Sequence, residues 1–334
     1  MITRVRIQNY RSFVDAEVKL RPFSLVVGAN GSGKSNLLKA FTKTAGKFTS
    51  AENKNGKKFW LLESRWQRHV NSGTSDAGIS VWMGDQRIDC HVAAGGSLLQ
   101  VPANEIPWKP ESFAIYNINS EEVSGIETVV ANAAVSSSGK GTAQVLETLK
   151  SGDREDLFEK IEASFKRLVP EVDKLSLRTV EQGKKQIQVR EKGLKEPLPA
   201  TELSEGTRLV LCILTILHQE NPPPIILLED IDRGLHPRLF EHVAPMMKDI
   251  AEKHQINIIA TTHNPYLVDC FQDDKEAVII VEKKDGASTL TSLADKLEGL
   301  DYDKVDPDDM PLGNLWFSGL VGGVPQIFKS NAKA

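Results

Sequence analysis

Residues 28–35 read GANGSGKS, and the fold turns on them. The stretch fits GxxxxGK[ST] without departure. An apolar run, FSLVVG, leads into it, and NLLKAFTKTAG continues with helical spacing. Strand, glycine-rich turn and helix are the context this pattern needs. Glycines let successive backbone N–H groups wrap phosphate oxygens without Cβ clashes, and the helix adds the positive end of its dipole. Lys34 is then placed to reach terminal phosphates, and Ser35 to offer a hydroxyl to Mg²⁺.

A second apolar run ends in charge. In LLEDIDRGLHP, residues 227–237, the apolar residues Ile225–Leu228 follow Pro222–Pro224 and meet Glu229 and Asp230. A parallel sheet of this kind brings an acid at the end of a neighbouring strand next to the phosphate loop. One carboxylate is expected to hold the metal and the other to activate water. The usual order is Asp then Glu, and here it is reversed. A longer first arm still reaches Mg²⁺ through its hydration shell. A shorter second arm lacks one C–C bond, roughly 1.5 Å, and misplacement by ~1 Å costs on the order of a hundredfold. A slow hydrolase is the expectation.

Leu203-Ser204-Glu205-Gly206-Thr207 opens a long apolar helix, TRLVLCILTILHQ. Ser204 is a natural N-cap there, leaving outward-facing N–H groups as a second anion site. Such a site does not easily fold onto the phosphate loop of its own chain.

The rest of the chain alternates between two styles. TRVRIQNY, AEVKL, IILLED, INIIATTH and EAVIIVEKKDG read as strands, RLFEHVAPMMKDIAEKH and NPYLVDCF as helices. In the middle, GISVWMGDQRIDCHVAAGG reads as a hairpin turning at Gly84-Asp85, and KLSLRTVEQGKKQIQVREKG as another. Residues 47–76 read as polar loop and 97–140 as irregular, with VSSSGKG a flexible joint. Residues 142–168 read as helical. The expected fold is α/β: a P-loop NTPase core with a mixed sheet from residues 1–45 and 196–334, and an inserted antiparallel β and helical lobe at 46–195.

The 334 residues are 40% apolar and 26% charged, with a net charge of −4. No global basic excess advertises nucleic acid. The three cysteines, Cys90, Cys212 and Cys270, show no metal-site spacing and read as reduced thiols. The N-terminus lacks a signal peptide's apolar core, and no run approaches the ~18 apolar residues of a membrane span. A cytoplasmic protein with no membrane contact is expected. From Lys39 to Arg68 there are eight basic residues against Glu52 and Glu63, with Trp60 and Trp66 among them. Such a stretch can follow a phosphate backbone and stack bases, or serve as a solvated lid. The acid run Asp306 to Asp309 reads as a loop, and GNLWFSGLVGGVPQIF after it as a segment docked on the core.

IQNYRSF, GANGSGKSNLL, LSEGTR, LLEDIDRGLHP and ATTHNPYLVD together resemble the ABC-type ATPase head of the RecF/SMC-like group, near the OLD-family ATPases. The pieces span residues 4 to about 270. The resemblance implies a head without the long coiled coil or a TOPRIM domain. It implies that Gly28, Asn30, Gly31, Ser32, Gly33, Lys34, Ser35 and Asn36 cradle ATP and Mg²⁺, and that Arg11 approaches the nucleotide. Glu229 would hold Mg²⁺ and Asp230 polarise the attacking water. Ser204 and Gly206 would contact the γ-phosphate bound to the other subunit, His263 would act as the switch histidine, and Asp232 would lie at the dimer seam. Glu205 and Thr207 replace the Gly and Gln usual in transporter ATPases, and Ile231 the common Pro. The glutamine loop has only Gln86 and Gln100 as candidates. The implied function is an ATP-driven switch that forms a homodimer or larger assembly and controls a separate effector, a nuclease or toxin, as in phage defence. The alternative is a RecF-type repair ATPase that binds DNA itself.

Overall fold

The computed structural model describes residues 1–42, 48–52, 58–63, 77–92, 98–102, 112–131, 133–300 and 310–325, with backbone only at 48–52, 58–63, 92 and 98–102. The chain runs through β1 (Arg4–Tyr10), β2 (Phe13–Lys19), β3 (Phe23–Gly28), α1 (Lys34–Thr42), β4 (Phe48–Glu52), β5 (Lys58–Glu63), β6 (Gly78–Met83), β7 (Gln86–Val92), β8 (Leu98–Pro102) and β9 (Phe113–Tyr116). It continues through α2 (Ser120–Val123), β10 (Glu127–Thr128), α3 (Thr142–Ser151), α4 (Glu155–Leu168), β11 (Val172–Glu181), β12 (Lys184–Glu191), β13 (Leu198–Pro199) and α5 (Glu205–His218). The last elements are β14 (Ile225–Leu228), α6 (Phe240–His254), β15 (Asn257–Thr261), α7 (Pro265–Asp269), β16 (Val278–Lys284), β17 (Ala287–Ser292), α8 (Leu293–Glu298) and α9 (Leu312–Phe317).

The strands without polar alternation form the centre. A six-stranded sheet runs β17-β16-β3-β15-β14-β9, parallel except for β17. Both faces are buried, which is why these strands read as continuous apolar runs. Leu25, Val27, Ile226, Leu228, Ile258, Ala260 and Ile280 face a core shared with α3–α7 and α9. Their neighbours Val26, Ile225, Leu227, Ile259, Ile279 and Val281 face a second core with α1 and the antiparallel sheet. Each such side chain contributes about 1.5–3 kcal/mol on burial, so shifting one strand by one residue would exchange its contribution to both cores.

The alternating strands form the other two sheets. The seven-stranded one runs β2-β1-β6-β7-β8-β5-β4, and the third runs β10-β12-β11 with β13 on β12. The turn between β6 and β7 falls at Gly84-Asp85 as expected, with Gly84 at φ +59°. Two expectations need correction. Residues 47–76 hold β4 and β5, and the irregular stretch 97–140 holds β8, β9, α2 and β10. Strand β9 has four residues, too few for a period to show, yet it takes an outer place in the parallel sheet beside β14. The helical reading of 142–168 resolves into α3 and α4, parted after the C-cap Gly152.

Strand β9 comes from within segment 46–195, and β1 pairs with β6 of that segment. The segment ending in α9 docks on the core through Leu312, Leu315, Trp316 and Val321. Trp66, residues 43–47, 53–57 and 64–68 of the basic stretch and the run Asp306 to Asp309 lie outside the described residues, as do the side chains of Trp60 and Gln100.

Candidate nucleotide-binding site

Strands β3, β9, β14 and β15 all end at one edge of the central sheet, and each delivers a polar group there. Strand β3 ends in Gly28 at φ +155°, where a Cβ would stand 2.4 Å from the Val281 carbonyl oxygen of β16. At Gly33, φ +124°, a Cβ would stand 2.7 Å from Ser288 Oγ and 3.0 Å from Ser12 Oγ. Glycine is required at both points by space as well as by conformation. Ser288 braces the loop from β17: its N–H donates to Ser12 O at 2.6 Å, and its hydroxyl to Ser32 O.

Lys34 is buried and folds back on the loop, donating to the carbonyls of Gly28 at 2.7 Å and Ala29 at 3.1 Å. Burial pulls its ammonium down to about 8, against the pull of Asp230 and Asp232 in the opposite direction. His263 lies below its ordinary value because its surroundings desolvate it and Lys34 repels a proton, while Asp230 and Asp232 oppose this. Lys34, Asp230, Asp232 and His263 therefore share one electrostatic neighbourhood.

The ends of β14 and β15 are knitted together. Asp230 adopts φ +49°, and its N–H donates to Thr261 Oγ1 at 2.9 Å. Asp232 Oδ1 accepts from Thr262 Oγ1 at 2.7 Å and from the His263 N–H at 3.4 Å. Glu229 turns the other way. Its Oε2 accepts from Asn117 Nδ2 at 3.3 Å, while its buried Oε1 has no partner among the described residues. Arg233 stands 3.7 Å from Asp230 at the surface.

Arg11, also at positive φ, donates to Asn36 Oδ1 at 2.9 Å, and Asn36 donates to Ser12 Oγ at 3.0 Å. Both residues thus support the first turn of α1. Ser35 and Asn30 are exposed at the loop, whereas Ser32 is buried with an unpartnered Oγ. A groove of 880 Å³ runs along Ala29–Ser32, bounded by the β16–β17 turn and Gly323–Pro325. Gly323 N–H donates to Glu282 Oε1 at 3.1 Å, and a Cβ on Gly323 would lie 3.8 Å from Gly28 Cα.

Ser204 and Gly206 engage a different neighbour. Ser204 Oγ caps α5 by accepting the Thr207 N–H at 3.1 Å. Gly206 packs so closely on the 232–235 turn that a Cβ would stand 2.6 Å from Gly234 O. The glutamine-loop candidate Gln86 is exposed at the β6–β7 hairpin. The polar residue facing Glu229 from the adjacent strand is Asn117, which sequence reasoning missed. Its signal was the apolar FAIY run immediately before it.

The chemistry of this edge suits a phosphate with a hard cation. Exposed Ser35 and the Glu229 Oε1 without a partner among the described residues are oxygen groups suited to a hard cation. Among the described residues no three His, Cys, Asp or Glu cluster as a metal cage.

The fold and this edge define a P-loop nucleotide-binding protein. Residues 1–77 match the family described as AAA ATPase domain. Residues 142–269 match the family described as AAA domain, putative AbiEii toxin, Type IV TA system. No curated protein matches the chain. Among solved structures it is similar to an Smc head bound to the C-winged helix domain of ScpA, at 16% identity and TM-score 0.58, over 89% of this chain and 99% of that one. It is similar also to the Smc head with a coiled coil and joint from Pyrococcus yayanosii, at 12% identity and TM-score 0.56, over 89% and 99%. A third, from Pyrococcus furiosus, is an Smc head with an extended coiled coil bound to the C-terminal domain of ScpA, at 14% identity and TM-score 0.54, over 91% and 99%. At such identities the likeness is one of fold. With the two matched segments, it supports an ABC/AAA ATPase of the SMC/RecF-like type, as the resemblance implied. Among the described residues no helix is long and apolar enough to cross a membrane.

Proposed function

We propose that the chain is a slow ATPase switch: two copies close around ATP and Mg²⁺ and so control a separate effector protein of nuclease or toxin type. The observation that carries this reading is the division of the site. Lys34, Asp230, Asp232 and His263 share one neighbourhood, while the start of α5, opened by exposed Ser204, meets the far end of the Asp232 turn through Glu205 and Gly206 on Gly234. A helix start engaged there is suited to the phosphate loop of another copy, and two-fold closure then makes two composite sites.

In this reading the N–H groups of Gly28–Ser35, Asn30 and Ser32 among them, surround the phosphates. Lys34 leaves the Gly28 and Ala29 carbonyls for the terminal phosphates. Arg11 and Asn36 hold the α1 turn that carries Ser35. Ser35 and Glu229 hold Mg²⁺, whose charge would offset that developing on the phosphoryl oxygens. Asp230 orients the water, with His263 against the same phosphate. The one-carbon-shorter arm of Asp230 underlies the slow rate. The toxin-system description matched by residues 142–269 supports an effector role, and the Smc heads that carry ScpA domains support a separate protein as partner.

The deciding experiment is mass analysis of wild type, Asp230→Asn and Lys34→Ala with ATP and Mg²⁺, purified from the native cell. Asp230→Asn is expected as a stable dimer or larger assembly holding ATP and a second protein, and Lys34→Ala as nucleotide-free. A monomer that holds ATP would overturn the dimer mechanism. A dimer carrying nucleic acid in place of protein would establish the DNA-binding reading.

A further inference from the structure

Thr262 follows β15 directly, beside the Asp232 turn. Its side chain is fully buried. Its N–H donates to Val26 O of β3 at 3.2 Å, which fixes it to the strand leading into the loop. Its hydroxyl is used in both directions. The proton goes to Asp232 Oδ1 at 2.7 Å, and the oxygen accepts the Asn264 N–H at 3.0 Å. Asn264 in turn caps α7, accepting from the Tyr266 N–H at 3.0 Å. The same Asp232 oxygen accepts the His263 N–H.

A threonine chosen for volume alone would leave its hydroxyl with one partner, or with solvent. Here a buried hydroxyl meets a carboxylate on one side and a main-chain donor on the other, and loss of either partner leaves a buried polar group unsatisfied. The Asp232 turn continues to Gly234, which lies against Glu205 and Gly206. A continuous line of short contacts thus runs from His263 through Thr262 and Asp232 to the start of α5.

We propose that Thr262 is a positioning residue that locks the Asp232–Leu235 turn to His263, so that the seam turn and the phosphate-facing histidine respond to nucleotide as one unit. This rests on the composite-site reading given above. The hydroxyl is the whole of the device: valine matches its shape without it, and serine keeps it.

The test is amide hydrogen exchange on nucleotide-free wild type, Thr262→Val, Thr262→Ser, Asp232→Ala and the Val/Ala double variant, followed by ATP affinity and ATP-driven dimerisation of each. Thr262→Val is expected to raise exchange at His263, Asn264 and residues 232–235 by about tenfold, as loss of such hydrogen bonds implies. Thr262→Ser is expected to match wild type. Adding Thr262→Val to Asp232→Ala is expected to change these amides little further. ATP affinity of the Thr262→Val monomer should stay within about twofold, while dimerisation weakens by about tenfold. Wild-type exchange in Thr262→Val, or effects that simply add, would overturn the proposal. If Thr262→Val does not fold, Thr262→Ser with Asp232→Ala reads the same amides: protection lost at Asn264, whose N–H donates to the Thr262 hydroxyl, in Asp232→Ala supports the lock, and protection retained there overturns it. If wild type neither binds ATP nor dimerises, the composite-site reading fails, while the exchange cycle still judges the lock.

Discussion

Thr261 holds Asp230 twice, accepting its N–H at 2.9 Å and donating to its Oδ1 at 3.3 Å. The grip fixes a residue whose φ of +49° is uncommon for any side chain but is tolerated best by Asp and Asn among non-glycine residues. The backbone thus suits Asp, whereas the proposed water-orienting role would favour a longer arm. Asp230→Glu is expected to hydrolyse ATP faster, on the order of tenfold or more, and to lose about 1–2 kcal/mol of stability at the left-handed position. Steady-state turnover and thermal unfolding measure the two effects. Unchanged turnover would argue against Asp230 as the water-orienting group.

Asn117 donates to Glu229 at 3.3 Å and gives that carboxylate its only protein side-chain support among the described contacts. Groups that orient a metal ligand typically contribute 10–100-fold to affinity. Asn117→Ala should therefore raise the Mg²⁺ concentration needed for half-maximal turnover by about 10–100-fold, with ATP binding in the absence of Mg²⁺ little altered. A magnesium titration of turnover decides it.

Much of the parallel sheet was legible because FSLVVG, IILLED and INIIATTH are apolar on both faces and end in polar motifs. Strand β9 was not, because four residues carry no period and their place beside β14 depends on pairing across more than a hundred residues. The same distance hid Asn117, whose significance lies in what it faces. Lys34 and Ser35 announce themselves by the spacing of GxxxxGK[ST], and Glu229 by the apolar run it ends. Thr261 and Thr262 do not, since a threonine pair after an apolar strand reads equally well as β-propensity.

Gly206→Ala places a methyl 2.6 Å from the Gly234 carbonyl, which is main chain and cannot swing aside. Overpacking of this sort costs about 1–3 kcal/mol. The variant should bind ATP as a monomer with near-normal affinity and dimerise poorly. Sedimentation with and without ATP distinguishes this from general unfolding.

His218 and His263 both sit below the ordinary histidine value, His218 because it is buried near the end of α5 and His263 because of desolvation and Lys34. A depressed histidine contributes its stability above the unfolded-state value near 6.5 and loses it as pH falls through the folded-state value. The histidine contribution to the melting temperature should thus be complete at pH 7 and decline as the pH falls below about 6.5. His218→Gln should make that decline shallower. A wild-type profile that rises on acidification would contradict the assignment.

Gly28 stands against Val281 and Gly323, so the loop is walled by segments made long after it. Ribosomes add roughly 5–20 residues per second, and about 250 residues separate Gly28 from Val281, which makes the interval roughly 13–50 s. During that time β3 has neither β15 nor β16 beside it, and its apolar faces lack both cores. The nascent chain therefore carries an ATP motif that cannot yet hold ATP. On the proposed switch reading, the order of synthesis would itself bar closure before the sheet is complete.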